Sequence, residues 1–325
     1  MPRLSFLFRT DTHVSDRNPL SWKGDYPSEI WSNLEQVGRI AKEREVTAVL
    51  DGGDYFHVKA ASRNPHRLVE KTARIHRAYT CPTFEVEGNH DIAYNNLSTL
   101  PDQPLGVLFA SGVFQPLREE VFVDGDLQIR VVGVPYSPVR RLDELLQIQK
   151  KPGDTHLLAV VHGLAAKDPP PQVEDFWNEP VFSYESLVSR NGPDIWMFGH
   201  WHKDQGIETI RGKRFINLGA LSRGSLVREN LKRVPKVALI EVTSGDLSVT
   251  PIPLSVAPAE DVFDLERKAA QEKERHDIEQ FVLQLVSDGV SDPEASVEDN
   301  IRSLGFADEV RDEALRYLEL VDSVG

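Results

Sequence analysis

Residues 194–204 read DIWMFGHWHKD, and this stretch decides the fold. Ile195, Trp196, Met197 and Phe198 run into Gly199, and His200 and His202 follow. A short apolar run closed by glycine is the pattern of a buried strand that stops at a sheet edge. On an extended chain, side chains two apart point the same way, so both imidazoles could address one spot. Two converging histidines suggest a metal, although a pair of polar loop residues explains this segment equally well on its own.

The same arrangement recurs along the chain. The run "RLSFLFRTD" (3–11) reads as a strand and leads into Asp11-Thr12-His13, and "VTAVLDGGD" (46–54) ends in Gly53-Asp54. Next, "CPTFEVEGNHD" (81–91) ends in Gly88-Asn89-His90-Asp91, and "HLLAVVHG" (156–163) ends in His162-Gly163. Between the first three strands lie helical stretches at 27–46, with Ile30, Leu34, Val37 and Ile40 on one face, and at 64–79. A βαβαβ opening implies parallel strands in an α/β layered fold. Further on, "VFVDGDLQIRVVGVPY" (121–136) reads as a hairpin about Asp124-Gly125-Asp126, and "RFINLGAL" (214–221) and "KVALIEV" (236–242) as strands with few helices between. The expected fold is therefore α/β, a four-layer α-β-β-α sandwich of two mixed sheets with a C-terminal helical tail.

Ligands of α/β sheets bind beyond the carboxyl ends of strands, where loops converge. Five strand ends here deliver three carboxylates, one carboxamide and five imidazoles to one edge. Half of the ten histidines fall in these motifs, which scattered core histidines would not do. Oxygen and nitrogen donors without thiolate suit Mn²⁺, Fe²⁺ or Zn²⁺, and so many imidazoles argue against Mg²⁺ or Ca²⁺. A pair of cations requires a bridging carboxylate. Glycines 53, 88, 163 and 199 are expected to let the backbone turn sharply and approach the ions.

The ordered set DTH, GGD, GNHD, HG and GHWH over residues 8–202 resembles the calcineurin-like metallophosphoesterase superfamily. Within it, "GGDYFH" and "EVEGNHD" resemble the SbcD-type DNA repair nucleases of bacteria and phages. The resemblance implies two divalent transition-metal ions, Mn²⁺ foremost. One is held by Asp11, His13, Asp54 and His202, the other by Asp54, Asn89, His162 and His200. It further implies a metal-activated hydroxide attacking phosphorus in line, with His90 steadying or protonating the departing group, Asp91 orienting His90, and His57 contacting the phosphate. The implied activity is a 3′→5′ DNA exonuclease, with single-strand endonuclease activity, working with DNA, a second copy of the chain and an SbcC-like ABC-type ATPase. Helix 64–79 is the implied contact between copies. Such nucleases carry Pro-Gly-Ser where this chain has Asn217 to Ala220, and a capping domain for which only about residues 203–258 remain. A stand-alone phosphodiesterase or phosphatase for small esters such as cyclic nucleotides is the alternative. A Ser/Thr protein phosphatase would show GDxxDRG and GNHE. A scaffold that lost its chemistry would lack ligands, and none is missing.

Charge and composition refine this. The net charge is −14, but 19 acidic against 7 basic residues fall in 260–325, leaving 32 and 30 elsewhere. The acidity belongs to the tail and does not exclude a polyanionic substrate. The division expected is a nuclease domain over 1–258 and an acidic helix–loop–helix over 259–325. The tail's apolar stripes lie on Ile278, Phe281, Val282 and Leu285 and on Val310, Ala314, Tyr317 and Val321, and suit ATPase capture or docking on the core. Proline-rich 164–182 reads as a loop and lid. The cluster Arg223, Arg228, Lys232, Arg233 and Lys236 is a candidate DNA contact, with Arg223 foremost, and Arg63, Arg67, Lys71 and Arg74 form a stripe that could track phosphates but suits a solvated face better. Asp51 is expected to brace its turn; His66, His76, His156 and His276 to be surface or partly buried; Trp201 to pack outward. One cysteine, Cys81, no signal-peptide core and no membrane-length apolar run lead to the expectation of a cytoplasmic protein, in a bacterial or phage-infected cell.

Overall fold

The computed structural model describes residues 2–170, 177–224, 228–267, 273, 311 and 312. Strand β1 (Arg3–Arg9) is followed by helix α1 (Tyr26–Glu43), β2 (Ala48–Asp51), α2 (His66–Arg77) and β3 (Thr83–Glu85). Asp25 starts α1 by accepting from the Ser28 amide, and Ile30, Leu34 and Val37 are buried on one helical face. β2 pairs parallel with both β1 and β3, as the βαβαβ opening requires. Helix α3 (Pro104–Ala110) and the edge strand β4 (Gln115–Pro116) follow. A hairpin of β5 (Glu119–Asp124) and β6 (Leu127–Val134) then turns at Gly125 and Asp126, where the sequence places it.

The second half supplies α4 (Leu142–Leu146), β7 (His156–His162), a short parallel pair β8 (Leu164–Ala166) and β9 (Val181–Ser183), and β10 (Ile195–Gly199). Strands β11 (Gly206–Ile210), β12 (Lys213–Asn217), β13 (Lys236–Thr243) and β14 (Leu247–Pro253) complete the sheets. One sheet runs β14-β13-β1-β2-β3-β4 and the other β11-β12-β10-β7-β6-β5. Both are mixed, because β13 lies antiparallel to β1 and β11 antiparallel to β12.

Strand alternation explains the layering. Leu4, Phe6 and Phe8 of β1 meet Ile195 and Met197 of β10 between the sheets. The alternate residue Leu7 packs outward with Ile30, Leu34, Leu68 and Leu105 from the helices. Trp196 and Phe198 pack on the other outer face with Leu145, Phe182 and Leu187. Each such fully buried side chain contributes about 1.5–3 kcal/mol, so apolar burial on both faces holds the sheets together and leaves polar ligands to the strand ends.

Some expectations hold and others change. Residues 203–258 carry β11 to β14, as the sequence implies, which leaves little of that span for a cap. The compact unit runs through Phe263, whose ring lies edge-on to Trp22 at 5.3 Å, so the turn at Ala259–Val262 belongs to it. The tail stripes on 278–285 and 310–321 lie outside the described residues, as does His276. The basic stripe of α2 is a solvated face: Arg67 pairs with Asp16 at 3.4 Å, Arg74 with Glu70, and Lys71 covers the Trp31 ring. His76 on the opposite face is not a surface residue. It is buried, 2.9 Å from the Tyr55 hydroxyl, in a network with Arg9. No helix among the described residues is long and apolar enough to cross a membrane.

Candidate metal centre

The five motif loops leave β1, β2, β3, β7 and β10 at their carboxyl ends, and neighbouring parallel strands put those ends on one edge. There Asp11, His13, Asp54 and His202 offer ligand atoms that all lie within 4.8 Å of one another, and Asp54, His162 and His200 do the same. Asp54 is common to both groups: Oδ2 lies 3.7 Å from His13 Nε2, and Oδ1 3.5 Å from His162 Nε2. His202 Nε2 lies 2.9 Å from His13 Nε2 and 3.6 Å from Asp11 Oδ1.

The two histidines of GHWH do not alternate along a continuing strand. β10 stops at Gly199, and His200 adopts φ +89°. Asp11, His13 and Asp54 also have positive φ, at 51°, 49° and 56°. Left-handed backbone at non-glycine residues costs free energy and gathers at functional sites, because there the surroundings enforce a side-chain direction. Close packing supplies that enforcement. A Cβ on Gly88 would collide with the Asp54 amide and Oδ1, and one on Gly199 with Thr10 Oγ1 and the Gly52 carbonyl. Gly163 is different: a Cβ there would meet Val161 at only 3.7 Å, so no close approach demands it.

The donor set fits cations. With its oxygen turned inward, Asn89 Oδ1 lies 3.1 and 3.3 Å from the Asp54 oxygens and 3.1 Å from His200 Nδ1. Without an ion the amide turns its nitrogen to these acceptors and its oxygen to Lys59; a cation among them would be met by the oxygen instead. His162 Nδ1 donates to the Gly52 carbonyl at 2.6 Å, which leaves Nε2 bare toward Asp54 and Asn89. Burial lowers the pKa of His13 and of His162, and that of His202 to about 4, so these rings are neutral with a lone pair to give. Burial works against the Asp54 carboxylate, but His162, His13, His90 and His200 hold it well below the usual range. Burial pushes Asp11 up to about 6.

The remaining sequence-derived residues divide. His90 and His57 lie at the site: their rings stack at 5.7 Å and 17°, and His13 lies edge-on to His90 at 4.8 Å. Asp91 does not orient His90. Its carboxylate accepts from the Tyr55, Phe56 and Gly88 amides and so ties the GGD loop to the GNHD loop. The His57 carbonyl orients His90 instead, accepting from Nδ1 at 2.6 Å. Arg223, expected to bind substrate, faces inward: its guanidinium donates to both Glu29 oxygens, at 3.1 and 2.6 Å, and to the Ala257 carbonyl. Arg233 is likewise buried against the Ala220 and Ser222 carbonyls, and Lys236 pairs with Asp204. Asp51 braces the turn as expected, accepting from Gly53 N and pairing with buried Arg9 at 2.6 Å.

Three residues were not foreseen. Glu179, from the proline-rich loop, accepts from His200 Nε2 at 3.0 Å and from the Tyr136 hydroxyl at 2.6 Å. Burial opposes a charged His200, yet the Glu179 hydrogen bond raises its pKa. Lys59 Nζ lies 3.1 Å from the outer atom of the Asn89 amide. No periodicity or motif marks any of them. A cavity of about 390 Å³ opens beside His13, His57, His90 and His202.

A family model described as calcineurin-like phosphoesterase matches residues 4–204. No curated protein is detectably similar in sequence. Among solved structures, a dimetal phosphatase from Danio rerio is similar at 12% identity and TM-score 0.45, over 78% of this chain and 100% of its own. The sulfate thiohydrolase SoxB of Thermus thermophilus, in complex with glycerol, is similar at 14% identity and TM-score 0.44, over 79% of this chain and 58% of its own.

Proposed function

The chain belongs to the calcineurin-like phosphoesterase family, whose members are metal-dependent hydrolases of phosphoesters, and on that premise we propose that it is a DNA nuclease using two divalent cations, Mn²⁺ foremost. The activity proposed is 3′→5′ exonuclease with single-strand endonuclease activity, as the nuclease subunit of an SbcCD-like complex. Asp11, His13, Asp54 and His202 would hold one cation, and Asp54, Asn89, His162 and His200 the other. Bound there, the cations supply Lewis-acid charge to a phosphoryl oxygen and acidify water.

The chain's own groups do the rest. Asp54 lies between the two ligand groups, and Asp91 ties together the loops that carry Asp54 and Asn89. The His57 carbonyl holds the His90 Nδ1 proton, so Nε2 is the atom that exchanges a proton with the departing sugar oxygen. The observation that carries the nuclease reading is the His57–His90 stack beside the cavity. It places the histidine of GGDYFH against that of GNHD, the pair the SbcD-like motifs share.

Purified protein with Mn²⁺ and end-labelled DNA, beside matched cyclic nucleotides, tests the reading. Metal-dependent shortening of DNA supports it. Turnover of cyclic nucleotides with inert DNA, with or without an ATPase partner, replaces it by the small-ester reading. That second reading draws on the inward-facing Arg223 and on 203–258 forming strands in place of a DNA-gripping cap. The proposed homodimer through α2, the ATPase contact through the C-terminal helices and the cytoplasmic setting rest on the same resemblance. A monomer by light scattering at micromolar concentration removes the first.

A further inference from the structure

Charge is distributed unevenly about the centre. The chain has 51 acidic and 37 basic residues, yet among the described residues no aspartate or glutamate lines the cavity, while Arg17, Arg63 and Arg233 do. On the other flank, Glu179 stands against His200. The cavity side therefore carries cations and no lining carboxylate among the described residues, which favours anionic groups there.

The three arginines differ in kind. Arg233 is buried and clamped by the Ala220 and Ser222 carbonyls and Asn230 Oδ1, a fixed cation in the wall. Arg17 and Arg63 are exposed and can follow a ligand. The carboxylate nearest Arg17 is Asp16 at 3.9 Å, and Asp16 lies closer to Arg67, at 3.4 Å. Leu20 also lines the cavity while 75% exposed, an apolar surface of the sort a sugar or base covers. A volume of about 390 Å³ lies within the range of roughly 300–1,000 Å³ for ligand sites.

We propose that this cavity is a subsite for a second phosphate of a nucleic-acid strand. When one phosphodiester lies at the metal centre, Arg17 and Arg63 hold the neighbouring phosphate in the field of Arg233, and the intervening nucleoside covers Leu20. The proposal rests on the nuclease reading and adds a specificity to it: linked phosphates are preferred over an isolated diester.

A labelled single-stranded DNA oligonucleotide and bis(p-nitrophenyl) phosphate test it in the wild type and in Arg17→Ala, Arg63→Ala and Arg17→Lys. The ratio of kcat/KM for oligonucleotide over small diester falls about tenfold for each alanine, the loss of one charge-assisted hydrogen bond, and Arg17→Lys restores part of it. The slope of log Kd against log salt flattens by about 0.7 for each phosphate that is no longer neutralised. Cleavage of the oligonucleotide with ratio and slope unchanged in both alanine variants overturns the subsite and leaves the nuclease standing. An oligonucleotide that binds with an arginine-dependent slope yet stays uncut does the reverse. No binding at all overturns both.

Discussion

Replacing Glu179 separates the two halves of the centre. Its carboxylate reaches His200 Nε2 at 3.0 Å and the Tyr136 hydroxyl at 2.6 Å, while Asp11, His13 and His202 have no hydrogen bond to it among the described residues. A carboxylate behind a ligating imidazole fixes the ring and raises its basicity, and its loss typically costs 10–100-fold in metal affinity. Glu179→Leu removes both hydrogen bonds and is expected to weaken the cation at Asp54, Asn89, His162 and His200 by about 10–100-fold, or about 1.4–2.8 kcal/mol. Glu179→Gln keeps an acceptor without the charge and falls between. The cation at Asp11, His13, Asp54 and His202 loses less than threefold. Calorimetric titration of metal-free protein with Mn²⁺ resolves two binding events if the affinities separate as argued. Equal weakening of both events, or of neither, would refute the reasoning, because it would mean that Glu179 supports the fold and not one ring.

Three further outcomes follow from particular contacts. Asp51→Asn strands the fully buried Arg9 charge and lowers stability by about 3–5 kcal/mol, a fall of roughly 6–20 °C in Tm; a shift under 2 °C in a thermal melt contradicts it. Gly88→Ala drives a methyl into the Asp54 carboxylate, and since a displacement of about 1 Å can cost 10²-fold in rate, kcat falls by about that factor; unchanged kcat and Mn²⁺ affinity contradict it. Arg223→Ala breaks a buried pair with Glu29 and costs about 3 kcal/mol of stability with no change in the salt slope of DNA binding; a flatter slope in a normally stable variant returns Arg223 to the substrate.

The clearest lesson of the site lies in what could and could not be read in advance. The seven candidate metal ligands lie at or just past the ends of apolar runs, so local pattern alone marked where strands stop and polar side chains gather. Asp91 was marked by the same motif, but its task was not: its partners are amides 36 and 35 residues away as well as Gly88.

The amino-acid sequence by itself determined the layers, because periods of two and 3.6 dictate which face each element must bury, and it marked the candidate ligands, because parallel strands align their carboxyl ends. Only the tertiary structure decided directions and partners. Left-handed backbone at Asp11, His13, Asp54 and His200 turns those side chains inward; Asp and His tolerate it better than most residues, but no periodicity marks where it falls. Arg223 and His76 look like surface residues in the sequence and are buried, since Glu29 lies 194 positions from the one and Arg9 67 from the other. Long-range pairing of charge answers to the whole fold, and the chain records it nowhere as a pattern.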